Sequence, residues 1–301
     1  MTTLRGIKTR INAAEQLRSI IHSMKSLAII NVRQYERAAK AVTRFSETIE
    51  SGFQVAIRNR PDLLENMGPT DAGGPTVQLV LGSDHGMCGP FNDRIVQFLL
   101  NQQERNGIPG DNGGRRILIA AGHRLRSPLH LSNVEPDLHL SMPGSVEMID
   151  QTVETTLEHL DRFRREQDVR RIRLYYHRRT GERGYEPVSE DLIPLDRDHL
   201  RELADRPWPT NNLPEAQPDE TKLFQTLVRH HLYIGLYHAY AHSLACENEG
   251  RLQSMQGAEE NVETRLDELN REHVRRRQQS ITDELLDITS GFEALRGDEP
   301  V

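Results

Sequence analysis

Proline is spread so unevenly along this chain that it divides it into three. The sequence has 301 residues and fifteen prolines: none in residues 1–60, fourteen from Pro61 to Pro218, and the last at Pro300. Inside a helix a proline costs about 3 kcal/mol or more. The two proline-free flanks are therefore candidates for long helices. The middle, with its proline and glycine clusters, reads as a separate folded unit of turns and short elements.

The first flank carries a helical stripe. Leu4, Ile7, Ile11, Ala14, Leu17, Ile21, Met24, Ala28, Val32, Tyr35, Ala39, Val42, Phe45 and Ile49 recur every three or four residues, a period of 3.5–3.6. With Thr3 as N-cap, one helix over residues 3–58 would run roughly 80 Å, so it needs an equally long partner. The last flank offers one. Leu223, Leu227, Leu232, Leu236, Leu244, Leu252, Met255, Val262, Leu266, Leu269, Ile281, Leu285, Ile288, Phe292 and Leu295 mark a second stripe, with gaps. Gly235, Gly250 and Gly257 interrupt it, each weakening a helix by about 1 kcal/mol relative to alanine and marking a bend or a close approach. Charge points the same way. Residues 1–60 hold eleven Lys and Arg against four Asp and Glu, and residues 219–301 hold nine against sixteen. Opposite charge favours pairing of the two flanks with each other, and an insert between them makes the pair antiparallel.

Composition excludes several classes. Apolar residues are 36% and aromatics 5%, lean for one compact core but suited to exposed helix. No apolar run reaches the ~18 residues of a membrane span, and the N-terminus lacks the apolar core of a secretory signal. Two cysteines, Cys88 and Cys246, make no disulfide framework, so a reducing compartment is the default. A net charge of −7 argues against a general nucleic-acid binder.

The middle reads as α/β. Val77–Leu81, Arg116–Ala121 and Arg171–His177 are buried-strand candidates, and Pro187–Leu195 adds a fourth after the Thr180–Gly184 turn. Pro90–Gln103 and Gly144–Glu166 have helical spacing. Alternation of this kind predicts a parallel sheet with right-handed crossovers. The glycine-rich segments 68–75 and 106–114 read as loops.

The turn Gly82–Gly89 (GSDHGMCG) sits where a phosphate loop would sit, after a strand and before a helix. It lacks the Gly-Lys-Ser/Thr ending and the GxGxxG spacing, and Pro90 removes a backbone donor; a structural tight turn is the better reading. Ser83, Asp84, His85 and Cys88 are too close in sequence to form a triad. Cys88 near a helix N-terminus is a candidate for a lowered pKa, although no base accompanies it. His238 and His242 share a helix face at the spacing of a zinc pair, but Ala-Tyr-Ala between them supplies no glutamate; a polar face is expected. The run Arg275–Arg277 is flanked by Glu272, Asp283 and Glu284, which suits a protein-contact girdle better than nucleic acid. No carboxylate pair stands out, so no self-contained active site, metal site or cofactor is expected.

Four blocks then point to a family. RRRQQSITDELLDITSG (275–291) closely resembles the C-terminal signature of the gamma subunit of F-type ATP synthases, roughly ARQAxITxELxEIxxGAxA. LACENEGRLQSM (244–255) is similar to its LASExxARMxAM, GSDHGMCGPFN (82–92) to its SDRGLCGGLN, and LRGIKTRINAAEQLRSIIHSMKSLA (4–28) to its LKxIRxRIxSVxNTxKITxAMxMVA. The blocks occur in family order over nearly the whole chain. The resemblance implies a long antiparallel coiled coil with an inserted Rossmann-like α/β domain: shaft helix 1–60, foot domain 70–215, shaft helix 219–296. It implies a non-catalytic rotor on the cytoplasmic face of the membrane, turning within three alpha and three beta subunits, with the epsilon subunit and the membrane c-ring at the foot, and with no nucleic acid or bound small molecule. Carried over by position, Arg277, Gln278, Thr282 and Glu284 imply beta-subunit contacts in the upper shaft, and Met24 and Lys25 in the lower shaft. Ser83, Asp84, Gly86, Cys88, Gly89 and Asn92 match the foot-domain turn. Ile288, Phe292, Ala294 and Leu295 suit an apolar shaft tip.

The chain departs from the family pattern at His85, at Pro90–Phe91, at Ser26, at Asn31–Val32 and in the polar tail 296–301. Such drift suggests a divergent branch, with the alternate N-type rotary ATPase of some bacteria as one candidate. From a different class stands a coiled-coil adaptor or nucleic-acid protein that uses the basic N-terminal helix as its binding face.

Overall fold

The computed structural model describes residues 3–66, 74–105, 115–181, 184–208 and 220–296. Most of the two segments read as loops, and the polar tail beyond Arg296, lie outside that range. Both flanks are single helices: α1 over Leu4–Asn59 and α7 over Glu220–Arg296. Thr3 begins α1, its Oγ1 accepting from the Gly6 N–H at 3.3 Å, and its carbonyl accepting from the Ile7 N–H. Between the two helices lie α2 (Asp62–Asn66), β1 (Thr76–Leu81), α3 (Phe91–Arg105), β2 (Arg116–Ala121), α4 (Arg126–Leu131), β3 (Leu138–Leu140), α5 (Ile149–Gln167), β4 (Arg171–Arg179), β5 (Tyr185–Ile193) and α6 (Arg197–Asp205).

The strands form one sheet in the order β3-β2-β1-β4-β5. The first three pairings are parallel, in register from Thr76↔Arg116 and Thr76↔Arg171. β5 runs antiparallel to β4, with a bulge between Ile172 and Arg173. The three strands expected to be parallel are so, and the fourth, β5, returns as an antiparallel hairpin because the short Thr180–Gly184 turn leaves no chain for a crossover.

The chain divides into two compact units that cut across both long helices. One comprises residues 1–27 and 252–301, the other residues 28–251. The reason lies in the core of the larger unit. One sheet face (Val77, Leu79, Leu81, Ile117, Ile119, Ile172, Leu174) packs on Val153, Leu157 and Leu160 of α5. It also packs on Leu232, Leu236, Tyr240 and Leu244 of α7 and Tyr35 of α1. The other face (Val80, Leu118, Ala120, Tyr175) packs on Ile95, Val96 and Leu99 of α3 and Leu129 of α4. The middle of α7 therefore serves as a core helix of the α/β layer. A second cluster joins Ile49, Phe53 and Ala56 of α1 to Leu200 and Leu203 of α6 and Leu227 of α7.

Within the larger unit α1 and α7 are antiparallel. Asn31 bonds Asn248, Phe45 meets His230 edge-on, and Phe53 meets Phe224, so positions rise along one helix as they fall along the other. In the smaller unit His22 and Lys25 of α1 both pair with Glu259 of α7, where basic and acidic flanks meet as their charges predict. No helix among the described residues is long and apolar enough to cross a membrane.

Candidate functional site

β1 ends at Leu81 and the chain turns sharply at residues 82–90. Ser83 and Asn92, the second residue of α3, hold the two ends together. The Ser83 N–H donates to Asn92 Oδ1 at 3.0 Å, and Asn92 Nδ2 donates to Ser83 Oγ at 2.8 Å. Ser83 Oγ in turn donates to the His85 carbonyl at 2.9 Å. Met87 and Gly89 take the left-handed backbone region, with φ of 65° and 64°, which lets a short loop reverse direction. A Cβ on Gly82 would lie 2.4 Å from Leu125 Cγ, so only glycine fits the first position.

Asp84 decides what this turn can bind. Its Oδ1 accepts from the His123 N–H at 2.8 Å and its Oδ2 from the Met142 N–H at 3.0 Å. These donors follow β2 and β3, at the carboxyl end of the sheet, where a doubly wound fold holds a phosphate on backbone N–H groups. Here the chain's own carboxylate occupies that position, which supports the structural-turn reading.

The crevice at the carboxyl ends of β1 and β4, where strand order reverses, is filled by α7. A Cβ on Gly250 would sit 2.8 Å from the Cys88 carbonyl oxygen and 2.9 Å from the Tyr185 hydroxyl. Glu249 Oε1 accepts from the Gly184 N–H at 3.0 Å and Oε2 pairs with Arg179 Nε at 2.9 Å. Arg251 Nη2 bonds Glu247 Oε1 at 2.6 Å and lies 3.5 Å from the Gly86 carbonyl. Beside them a polar cavity with about 70 Å³ of free volume is lined by Asn31, Tyr35, Asp84, His85, Glu247, Asn248 and Arg251, with the 142–144 loop and Leu244. That is room for a few waters and too little for a nucleotide. Burial raises the Glu247 carboxyl against the pull of Arg251.

Cys88 departs from its expectation. It is 2% exposed in a cluster with Phe91, Tyr185 and Cys246. Burial pushes its thiol up, outweighing the Ser83 hydrogen bond. Proximity to α3 is overruled by desolvation. Cys246 is raised further, again by burial. His177, stacked on Phe91 at 4.1 Å between ring centres, is held near a pKa of about 3 by burial and by Arg94. His238 and His242 lie 4.3 Å apart, ring centre to ring centre, and both are half-buried rather than on a solvated face. Burial lowers both pKa values, that of His242 to about 4.

The remaining shaft candidates belong to the smaller unit. Lys25 is tied to Glu259, and Met24 beside it is half-buried. Arg277, Gln278, Thr282 and Glu284 are exposed; Arg277 is about 27 Å further along α7 than Glu259 at 1.5 Å per residue. Ile288 is 65% exposed, while the side chains of Phe292, Ala294 and Leu295 lie outside the described residues. In the turn, Ser83, Asp84, Cys88 and Asn92 are engaged internally; its outward residues are His85, Met87, Gly89 and Pro90. Sequence reasoning missed Arg179, Glu36 and Glu249, which no motif marks because they meet only in three dimensions.

A family model described as ATP synthase matches residues 3–295 of the chain. Curated relatives named ATP synthase gamma chain include one from Campylobacter jejuni, 24% identical over 98% of this chain and 100% of the relative. Another, from Jannaschia sp., is 26% identical over the same shares. Among solved structures, a chain of the Euglena gracilis mitochondrial ATP synthase (OSCP/F1/c-ring, rotational state 3) is similar with a TM-score of 0.64 and 15% identity. The similarity covers 99% of this chain and 96% of that one, and it speaks to the fold alone. The chain belongs to the gamma-subunit family of ATP synthases.

Proposed function

We infer that this chain is the central-stalk rotor of a rotary ATP synthase, a non-catalytic subunit that couples ion flow through a membrane c-ring to nucleotide chemistry in an alpha/beta ring. One observation carries the reading. Helices of 56 and 77 residues, antiparallel within the larger unit, bracket an α/β unit in a chain whose family match spans residues 3–295. A shaft needs stiffness and asymmetry rather than catalytic side chains: it favours one conformation of each surrounding subunit as it turns to face it. Asp84 in the anion position and α7 in the switch-point crevice support a chain with no nucleotide chemistry of its own.

Residues 1–60 and 219–296 serve as the shaft and 70–215 as the foot, working peripherally at the cytoplasmic face of the membrane with three alpha and three beta subunits, epsilon and the c-ring. Arg277, Gln278, Thr282 and Glu284 are the upper contacts with beta, and all four are exposed to make them. Met24 and Lys25 mark the lower one. In the 82–92 turn the contact falls to His85, Met87, Gly89 and Pro90, with Ser83, Asp84, Gly86, Cys88 and Asn92 shaping the loop beneath. Two of those outward residues are where the chain departs from the family pattern, so this contact has altered chemistry.

Co-expression with the alpha and beta subunits tests the reading. One copy of the chain should elute per three alpha–beta pairs and raise steady ATP hydrolysis. An alpha/beta ring that excludes the chain and turns over at the same rate would defeat it.

A further inference from the structure

The sheet of the larger unit and the two long helices meet mostly through apolar side chains. Apolar contact is non-directional: it resists separation but tolerates sliding and rotation. Charge pairs between strand and helix set their register, and one group of them engages both helices at once. Arg179, the last residue of β4, pairs through Nη1 with Glu36 of α1 and through Nε with Glu249 of α7, the latter at 2.9 Å. The second oxygen of Glu249 accepts from the Gly184 N–H at 3.0 Å, just before β5. The Arg179, Glu36 and Glu249 side chains are 23%, 29% and 7% exposed, so water screens them only partly.

Other polar contacts reach a single helix. Tyr240 of α7 meets Thr156 of α5 at 3.0 Å, and Gln54 and Arg58 of α1 reach the Arg206 carbonyl beyond α6. Arg179 ties the end of β4 to both α1 and α7. A planar guanidinium holds its charge against two carboxylates from one rigid group, which a lysine ammonium on a flexible stem does not reproduce. Gly250, beside Glu249, brings α7 against the Cys88 carbonyl with no room for a side chain, so the helix is seated at this level as well as ion-paired.

We propose that the Arg179–Glu36–Glu249 bridge is the joint that transmits torque between the α/β domain and the two shaft helices. The proposal rests on the rotor reading. A twist delivered to the sheet and withdrawn along the helices must cross the contact between them. The bridge fixes both helices to one strand end, so neither turns without the other. Arg179 is a positioning residue: it touches no nucleotide, and its loss should separate hydrolysis from transport instead of lowering both.

The experiment uses the assembled rotary complex in vesicles, measuring ATP hydrolysis and ATP-driven ion pumping on the same preparation. In Arg179→Gln, pumping per ATP hydrolysed should fall by roughly threefold or more while the complex assembles and hydrolysis stays near wild type. Arg178→Gln is the control, because Arg178 is 53% exposed and its ion pair is with Glu186 within the hairpin, at 3.6 Å; it should pump as wild type does. Arg179→Lys should restore only part of the ratio. If Arg179→Gln fails to assemble, Glu36→Gln, at the more exposed end of the bridge, gives the same measurement. An unchanged pumping ratio in the variant that assembles overturns the joint. A wild-type chain that neither assembles nor supports pumping overturns the rotor reading instead, so the two failures are distinguishable.

Discussion

Asp84 carries a carboxylate into a turn ringed by strand ends and commits both oxygens to backbone N–H groups of two different loops. Each bond to a charged acceptor contributes about 1.5–3 kcal/mol. Asp84→Asn keeps the shape but replaces one acceptor oxygen with a donor facing a donor. It should therefore cost about 2 kcal/mol in the unfolding free energy of the purified chain, read from urea titration. Asp84→Ala frees both N–H groups and should cost more. The residue scale also separates type from environment. Cysteine in a turn before a helix is readable in the sequence, but its distant neighbours are not: Cys88 and Phe91 share a buried cluster with Tyr185 and Cys246, drawn from three separate stretches. Burial lifts both thiols, so neither should react measurably with a disulfide reagent at pH 8 until denaturant is added. Rapid modification of the native chain would contradict that placement.

At the scale of elements, Gly235, Gly250 and Gly257 of α7 look alike in sequence and differ in the fold. A Cβ at Gly257 meets no atom within 4 Å, at Gly235 it meets a Leu192 methyl at 2.5 Å, and at Gly250 it meets the Cys88 backbone oxygen at 2.8 Å. In the isolated chain Gly257→Ala should gain about 1 kcal/mol of helix propensity. Gly250→Ala should lose stability by about 1–3 kcal/mol, because backbone gives way less readily than a leucine tip. Thermal melts of the two variants, moving in opposite directions, check both. Much of the architecture was legible: α1 by its stripe, and β1, β2 and β4 by their apolar runs. The gaps in the α7 stripe have a physical cause. Residues 239–250 are buried apart from His242, so that stretch has no solvent face to create a period. β3 is three half-buried residues at the sheet edge, too short for alternation to register. α6 was missed although its cap is written in the sequence: Asp196 accepts from the Asp198 and His199 N–H groups. The candidate site was half legible. The turn was visible, but the helix that fills its crevice and the Arg179 bridge depend on tertiary pairing.

For the whole molecule, acid is a probe of what the larger unit buries. His177 has neither ring nitrogen hydrogen-bonded and is held neutral down to a pKa of about 3. Burial also lowers His231, His238 and His242. An unfolded chain protonates each histidine near pH 6.5, so below that value the unfolded state binds more protons than the folded one. Stability is then full above pH 6.5 and declines as the pH falls toward the folded-state values. For His177 alone the decline reaches about 2 kcal/mol at pH 5. Glu247 acts in the opposite sense, since its carboxyl is raised in the fold and takes up a proton before the unfolded chain does. The two directions are separable by substitution. His177→Phe keeps a ring on Phe91 and removes the titrating nitrogens. Its unfolding free energy should therefore fall by about 2 kcal/mol less than that of the parent between pH 7.5 and pH 5. Parallel acid profiles for parent and variant would mean that His177 reaches water in the folded chain. Its stack between β4 and α3 would then be open rather than sealed.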